Sequence, residues 1–143
     1  MKKLYLIVLA FLVFSCNSST EKTKQIEAKT NVEENLTLIG KKAKIIYPKF
    51  IAVAEYLTDS TLHWKTTDNK TGTVATGDEK MVYRPLGNGL FFLNWIEQDG
   101  LTVSQVIDLN QMTVTGFGSW HDEESERGRR SGGLLEGSLE FVE

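Results

Sequence analysis

The sequence predicts an all-β fold, a small antiparallel up-and-down barrel of about eight strands. Three observations predict it. From residue 38 onward apolar and polar residues alternate with period two, in runs of strand length. Tight-turn chemistry separates the runs: Pro48, the cluster "TDNKTG" (67–72), "GNG" (87–89) and Asp99-Gly100. No stretch of that region repeats its apolar residues at helical spacing. Meanders of this kind close into a barrel or a sandwich, and about 105 residues over eight strands suits a barrel. Such a barrel has room for its own side chains or one small ligand.

Each strand follows from its own pattern. "KKAKIIY" (41–47) sets lysines against Ala43, Ile45 and Tyr47. "FIAVAEYL" (50–57) follows Pro48, which lacks an N–H for a central ladder and so marks a turn. "STLHWKTT" (60–67) sets Leu62 and Trp64 against Thr61, His63 and Lys65. "DEKMVYRPL" (78–86) is the fourth strand, and "GNG" opens the next hairpin, "LFFLNWIEQDGLTVSQVIDL" (90–109). Its Asp-Gly suits a two-residue type I′ turn. "QMTVTGFGSW" (111–120) returns, and "GGLLEGSLEFV" (132–142) sets Leu135, Leu139 and Phe141 against Glu136, Ser138 and Glu140. Gly116 and Gly118 leave gaps on one strand face, which serve sharp coiling of a closed sheet or space for a ligand.

Residues 1–37 have a different grammar. "MKKLYLIVLAFLVFSC" has two lysines, a short apolar run, then small residues and a cysteine, the layout of a secretory signal. The run Leu4–Phe14 is shorter than the roughly 20 residues a permanent span needs. Residues 17–37 are dominated by Ser, Thr, Asn, Lys and Glu, and read as a tether spanning about 25 Å. "NVEENLTLI" (31–39) reads as one helical turn or a lid. The expected organisation is therefore signal 1–15, tether 16–37 and barrel domain 38–143.

Charge narrows the partners. Loss of residues 1–15 would remove two lysines and no acids, leaving 14 basic and 19 acidic residues, a net charge near −5. That balance disfavours nucleic acid and adhesion to anionic headgroups. No Ser/His/Asp arrangement, phosphate loop or Cys/His cluster is present, so no cofactor and no metal is expected. "HDEESERGRR" (121–130) lacks metal-ligand spacing and reads as a solvated loop or a flap over the barrel mouth.

Two resemblances add to this. "LVFSC" resembles the bacterial lipoprotein signal, which implies cleavage before Cys16, lipid on that residue and a place in the bacterial cell envelope; the alternatives are an ordinary signal peptide or an uncleaved anchor. Cys16 is the only cysteine, so no internal disulfide can form. "LFFLNWIEQDGLTVSQVIDLNQMTVTGFGSW" resembles the central segment of the phenolic acid decarboxylases, with its Trp-x-Glu, turn ending in Gly and return strand carrying a Gly. "GKKAKIIYPKFIAVAEYLTDSTLHW" resembles their first hairpin. The short form is closer to the MoaF-like family, and both families are lipocalin-like calycin barrels. The resemblance covers residues 39–121.

Carried over position by position, the decarboxylases' catalytic glutamate matches Glu97 and one substrate-holding tyrosine matches Tyr47. The second tyrosine falls on Ile45. Their arginine finds only Lys65, Thr66, Thr67 and Lys70, and Arg84 comes one strand too late. Without those donors for a substrate carboxylate, decarboxylation is not expected.

The residues themselves pose a question. Glu97 continues the row Phe91, Leu93, Trp95, so it either enters an apolar pocket or turns out to water beside the Asp-Gly turn. A carboxylate inside needs a partner or its pKa rises; Tyr47, Tyr83, His63 and Arg84 are the candidates, with Tyr47 first. His63 shares its face with Lys65 and Thr61, and so reads as exposed rather than as a ligand. Trp64, Tyr83 and Trp95 would wall a site for a small aromatic or amine-bearing ligand. The reading is a lipid-anchored, lipocalin-like barrel binding a small hydrophobic or aromatic molecule. The alternatives are an enzyme using Glu97 with Tyr47 as acid or base, and a structural lipoprotein with a filled barrel.

Overall fold

The computed structural model describes residues 36–143. The expected signal, Cys16 and all but the end of the expected tether lie outside the described residues. Eight strands run in chain order: β1 (Lys42–Ile46), β2 (Phe50–Tyr56), β3 (Thr61–Asp68), β4 (Val74–Gly87), β5 (Leu90–Ile96), β6 (Thr102–Asp108), β7 (Thr113–His121) and β8 (Arg130–Val142). Each pairs antiparallel with the next and β8 pairs with β1, so the sheet closes into an up-and-down barrel. Among the described residues there is no helix. Alternation decides which face is inside. Phe91, Leu93 and Trp95 are buried while Ile96 is 62% exposed, and the same parity holds along β1, β2 and β6. The outer face carries ion pairs such as Lys44–Glu140 at 2.8 Å.

Strand direction defines two ends. The β1–β2, β3–β4, β5–β6 and β7–β8 turns gather at one end. The chain enters at the other, where Leu38 is 0% exposed and seals the interior. Residues 36–39 therefore form no helical turn. Leu38 opens a tight turn closed by Lys41 N–H donating to Leu38 O at 2.9 Å, with Gly40 at φ 78°.

Two local expectations are corrected. The β5–β6 turn is not type I′, which needs positive φ at both Asp99 and Gly100; only Gly100 has it, at 87°. Glu97 N–H donates to Leu101 O at 2.8 Å and Gly100 N–H to Glu97 O at 2.9 Å, so the loop holds three residues. Asp99 Oδ1 accepts from Leu101 N–H at 2.9 Å and braces it. The two-residue positive-φ turn lies instead at Asn88-Gly89, φ 51° and 72°, between the paired Gly87 and Leu90.

The second correction concerns β4, which begins at Val74 rather than Asp78. "VATG" has too little apolar alternation to be read as strand, yet it pairs with β3 from Thr67↔Val74 to Thr61↔Lys80. Pairing with β5 starts only at Met81↔Trp95. Val74–Lys80 is thus hydrogen-bonded to β3 alone, and the wall has a notch between upper β4 and the β5–β6 turn. Pro85, which has no N–H, sits at the register shift lower in the same strand.

Candidate functional site

The half of the barrel nearest Leu38 is filled by its own side chains, among them Leu93, Ile107, Val114 and Leu139. The other half holds a cavity of about 350 Å³. Ile45, Tyr56 and Leu62 form its floor, Phe50, Trp64 and Trp95 its walls, and Glu97, Asp99 and Leu101 its rim. The lining is mainly apolar with a few convergent polar groups, the usual make-up of a small-molecule site.

Glu97 points inward at the rim, half-buried. Its Oε1 accepts a hydrogen bond from Trp95 Nε1 at 3.2 Å. The two side chains are two residues apart on one strand face, so the pairing follows from the pleat. Burial raises the Glu97 carboxyl above its ordinary 4.5; the indole N–H opposes this, while the Asp99 and Glu79 carboxylates reinforce it.

A second polar pair crosses the interior. Gln105 Nε2 donates to the Tyr47 hydroxyl at 2.9 Å, and Gln105 is only 7% exposed. Tyr47 follows β1 and Gln105 lies on β6, which are not neighbours in the sheet, so this bond spans the lumen. Burial pushes the Tyr47 phenol well above its ordinary value, so it stays a neutral hydroxyl. Two further groups on cavity-lining residues, the Tyr56 hydroxyl and Trp64 Nε1, have no hydrogen-bond partner among the described residues.

The notch adjoins this cavity. It encloses about 580 Å³ and shares Trp64, Glu97 and Asp99 with the interior site, adding Gly77 and Glu79. Gly77 is required here, since a Cβ would stand 2.9 Å from the Trp64 indole, which lies across it. The gap at Gly116 is closed by Ser104 O and the Gln105 side chain, whereas Gly118 faces a second hollow at the mouth, with Tyr47 and Trp120.

With barrel and site described, the comparisons become interpretable. The model of the MoaF-like family matches residues 39–131. The chain belongs to the MoaF-like family. No curated protein matches it. Among solved structures it is similar to a protein from Burkholderia vietnamiensis described provisionally as a beta-lactamase. Identity is 23%, the match covers 75% of this chain and 97% of that one, and the TM-score is 0.61. At that identity the likeness speaks for the fold.

Within this MoaF-like barrel, Tyr47, Trp64, Trp95 and Glu97 all line the cavity. Tyr47 is not hydrogen-bonded to Glu97, whose partner is Trp95 Nε1; the Tyr47 hydroxyl oxygen instead accepts from Gln105 Nε2. Tyr83 lies outside the cavity: β4 runs away from the mouth, so Tyr83 stacks on Phe91 at 5.7 Å with its hydroxyl 3.5 Å from Leu38 N. His63 is on the outer face, bonded to Asp78 Oδ1 at 2.7 Å, and Arg84 is exposed. The residue missed by sequence was Gln105. It interrupts the inner row Val103, Gln105, Ile107 just as Glu97 continues its own, so the same parity argument would have found it. Among the described residues, no three His, Cys, Asp or Glu side chains converge on a metal position.

The 121–130 loop closes β7–β8 at the mouth. Arg130 leaves it to bond Gly100 O at 3.2 Å, Thr102 Oγ1 at 3.3 Å and Ser119 Oγ at 3.0 Å. It thereby braces the turn that carries Asp99.

Proposed function

We propose that this barrel binds a small hydrophobic or aromatic molecule, in an envelope protein tethered by lipid on Cys16. The observation that carries the binding reading is the cavity of about 350 Å³, walled by two indoles and floored by apolar side chains, in a half of the barrel its own residues do not fill. Filling by side chains, as a purely structural barrel would have, describes only the half near Leu38. Native mass spectrometry of the chain purified from its own host tests the reading: a retained small molecule is expected, and bare protein from every preparation counts against it. The anchor rests on "LVFSC" and is tested separately, since Cys16→Ser should abolish incorporation of labelled palmitate.

A second reading, an enzyme using Glu97 as acid or base, is favoured by one observation, the carboxyl raised by burial at the rim of an apolar cavity. The arrangement gives it little support beyond that. Tyr47 is not hydrogen-bonded to Glu97, and the group on Glu97 is an indole N–H, which favours the carboxylate over the acid. Binding is the better-supported reading.

A further inference from the structure

Gln105 is out of place in its row. It sits on the inner face of β6 between Val103 and Ile107, both buried, where a third apolar residue would complete the wall. Gly116 on β7 makes room for it, since a Cβ there would stand 3.1 Å from Gln105 Cγ. Gln105 Nε2 donates to the Tyr47 hydroxyl at 2.9 Å, and that bond leaves a group free on each side. On one side, Gln105 Oε1 has no partner among the described residues. It is not sealed by protein either: the partnerless side-chain atoms enclosed in that way are the Tyr56 hydroxyl and Trp64 Nε1. The open space on this face of β6 is the cavity of about 350 Å³, which Gln105 lines. Oε1 therefore opens on the cavity from a residue only 7% exposed. On the other side, the Tyr47 hydroxyl accepts the bond and so keeps its own proton to give, and no acceptor among the described residues takes it.

The pair thus presents one acceptor and one donor side by side, and both are uncharged, because burial keeps the Tyr47 phenol protonated. A wholly apolar ligand would take Oε1 out of water and leave it unpaired. A ketone, an ether or a carboxylate has only acceptors and leaves it equally unpaired. Resting on the binding reading above, we infer that the ligand carries an uncharged amide edge, an N–H beside a C=O, as aromatic lactams do. The N–H donates to Gln105 Oε1, the C=O accepts from the Tyr47 hydroxyl, and the ring lies against Trp64 and Trp95. Gln105 is then the residue that sets specificity, and the indoles supply the apolar contact.

The test is calorimetric titration of the full chain with three neutral bicyclic probes: oxindole, 2-indanone and 1-methyloxindole. Oxindole has the amide edge. The indanone keeps its shape and carbonyl with a CH₂ in place of the N–H, and the methyl compound blocks the N–H. Oxindole should bind about tenfold or more tighter than either, the scale of one buried acceptor left unpaired. Gln105→Leu should bring oxindole down to the level of 2-indanone. In the unmodified chain, the Gln105 side-chain amide resonances should move saturably with oxindole. Equal binding of oxindole and 2-indanone overturns the amide assignment while the binding reading stands. A preference for oxindole that survives Gln105→Leu, or oxindole binding that leaves the Gln105 amide resonances fixed, overturns the role of Gln105. No binding by any probe at millimolar concentration overturns the inference together with the binding reading.

Discussion

Trp95 Nε1 donates to Glu97 Oε1 across 3.2 Å, two residues apart on the inner face of β5. A strand places a carboxylate on an apolar face at the point where that face reaches the cavity rim, and the preceding indole supplies the donor. The contact keeps Glu97 inward despite the turn that follows. Trp95→Phe removes the donor that holds the carboxyl down, so Glu97 should titrate higher in the variant than in the parent. Carboxyl chemical shifts followed against pH read this directly; an unchanged or lower midpoint would mean the bond is not formed in solution.

The raised Glu97 carboxyl also gives a pH signature. The native state holds its proton over a range where the unfolded chain, at about the ordinary 4.5, has released it. The associated stability is present below that value and lost as pH rises through the raised folded-state value. Asp99 and Glu79 are the charged groups facing it, and both act in the same direction. Glu97→Gln does not titrate, so the variant should gain on the parent between pH 4 and pH 7. Urea melts showing the same difference at both pH values would refute this.

Tyr47 and Gln105 form a buried pair whose two members depend on each other. Tyr47→Phe strands the Gln105 amide and should cost about 1–3 kcal/mol. The double variant Tyr47→Phe, Gln105→Leu leaves no polar group unpaired and should recover much of that loss. Additive losses in the double-mutant cycle would show that the two groups do not interact.

Leu38 closes the end of the barrel opposite the cavity and is fully buried. Leu38→Ala should therefore cost about 2–5 kcal/mol, as for other buried leucines. Leu36, which is 43% exposed, should tolerate alanine to within about 0.5 kcal/mol. Equal effects at the two positions in thermal or chemical melts would place Leu38 outside the core.

The architecture was legible because alternation is a local signal, and rows such as Ala43, Ile45, Tyr47 set against lysines announce their parity. What sequence did not carry was register. The notch exists because β4 starts at Val74 and meets β5 only at Met81, an offset no residue pattern records. Tyr83 is expected at the site as a wall residue, but the sequence does not say how far down the barrel a residue lies. The Tyr47–Gln105 bond joins strands that are not neighbours, so nothing near either residue in the chain foretold it. Glu97 was legible because its partner is only two residues away.

The central claim is that the half-empty end of this barrel, between Trp64 and Trp95, is a binding site. The chain has three tryptophans, so three indole N–H resonances report on it. Titrating the full chain with 4-hydroxyphenethylamine should produce saturable shifts of the Trp64 and Trp95 indole signals, with the Leu38 amide at the sealed end unmoved. Indole signals that stay fixed to millimolar probe, or shifts confined to the end around Leu38, would contradict the account.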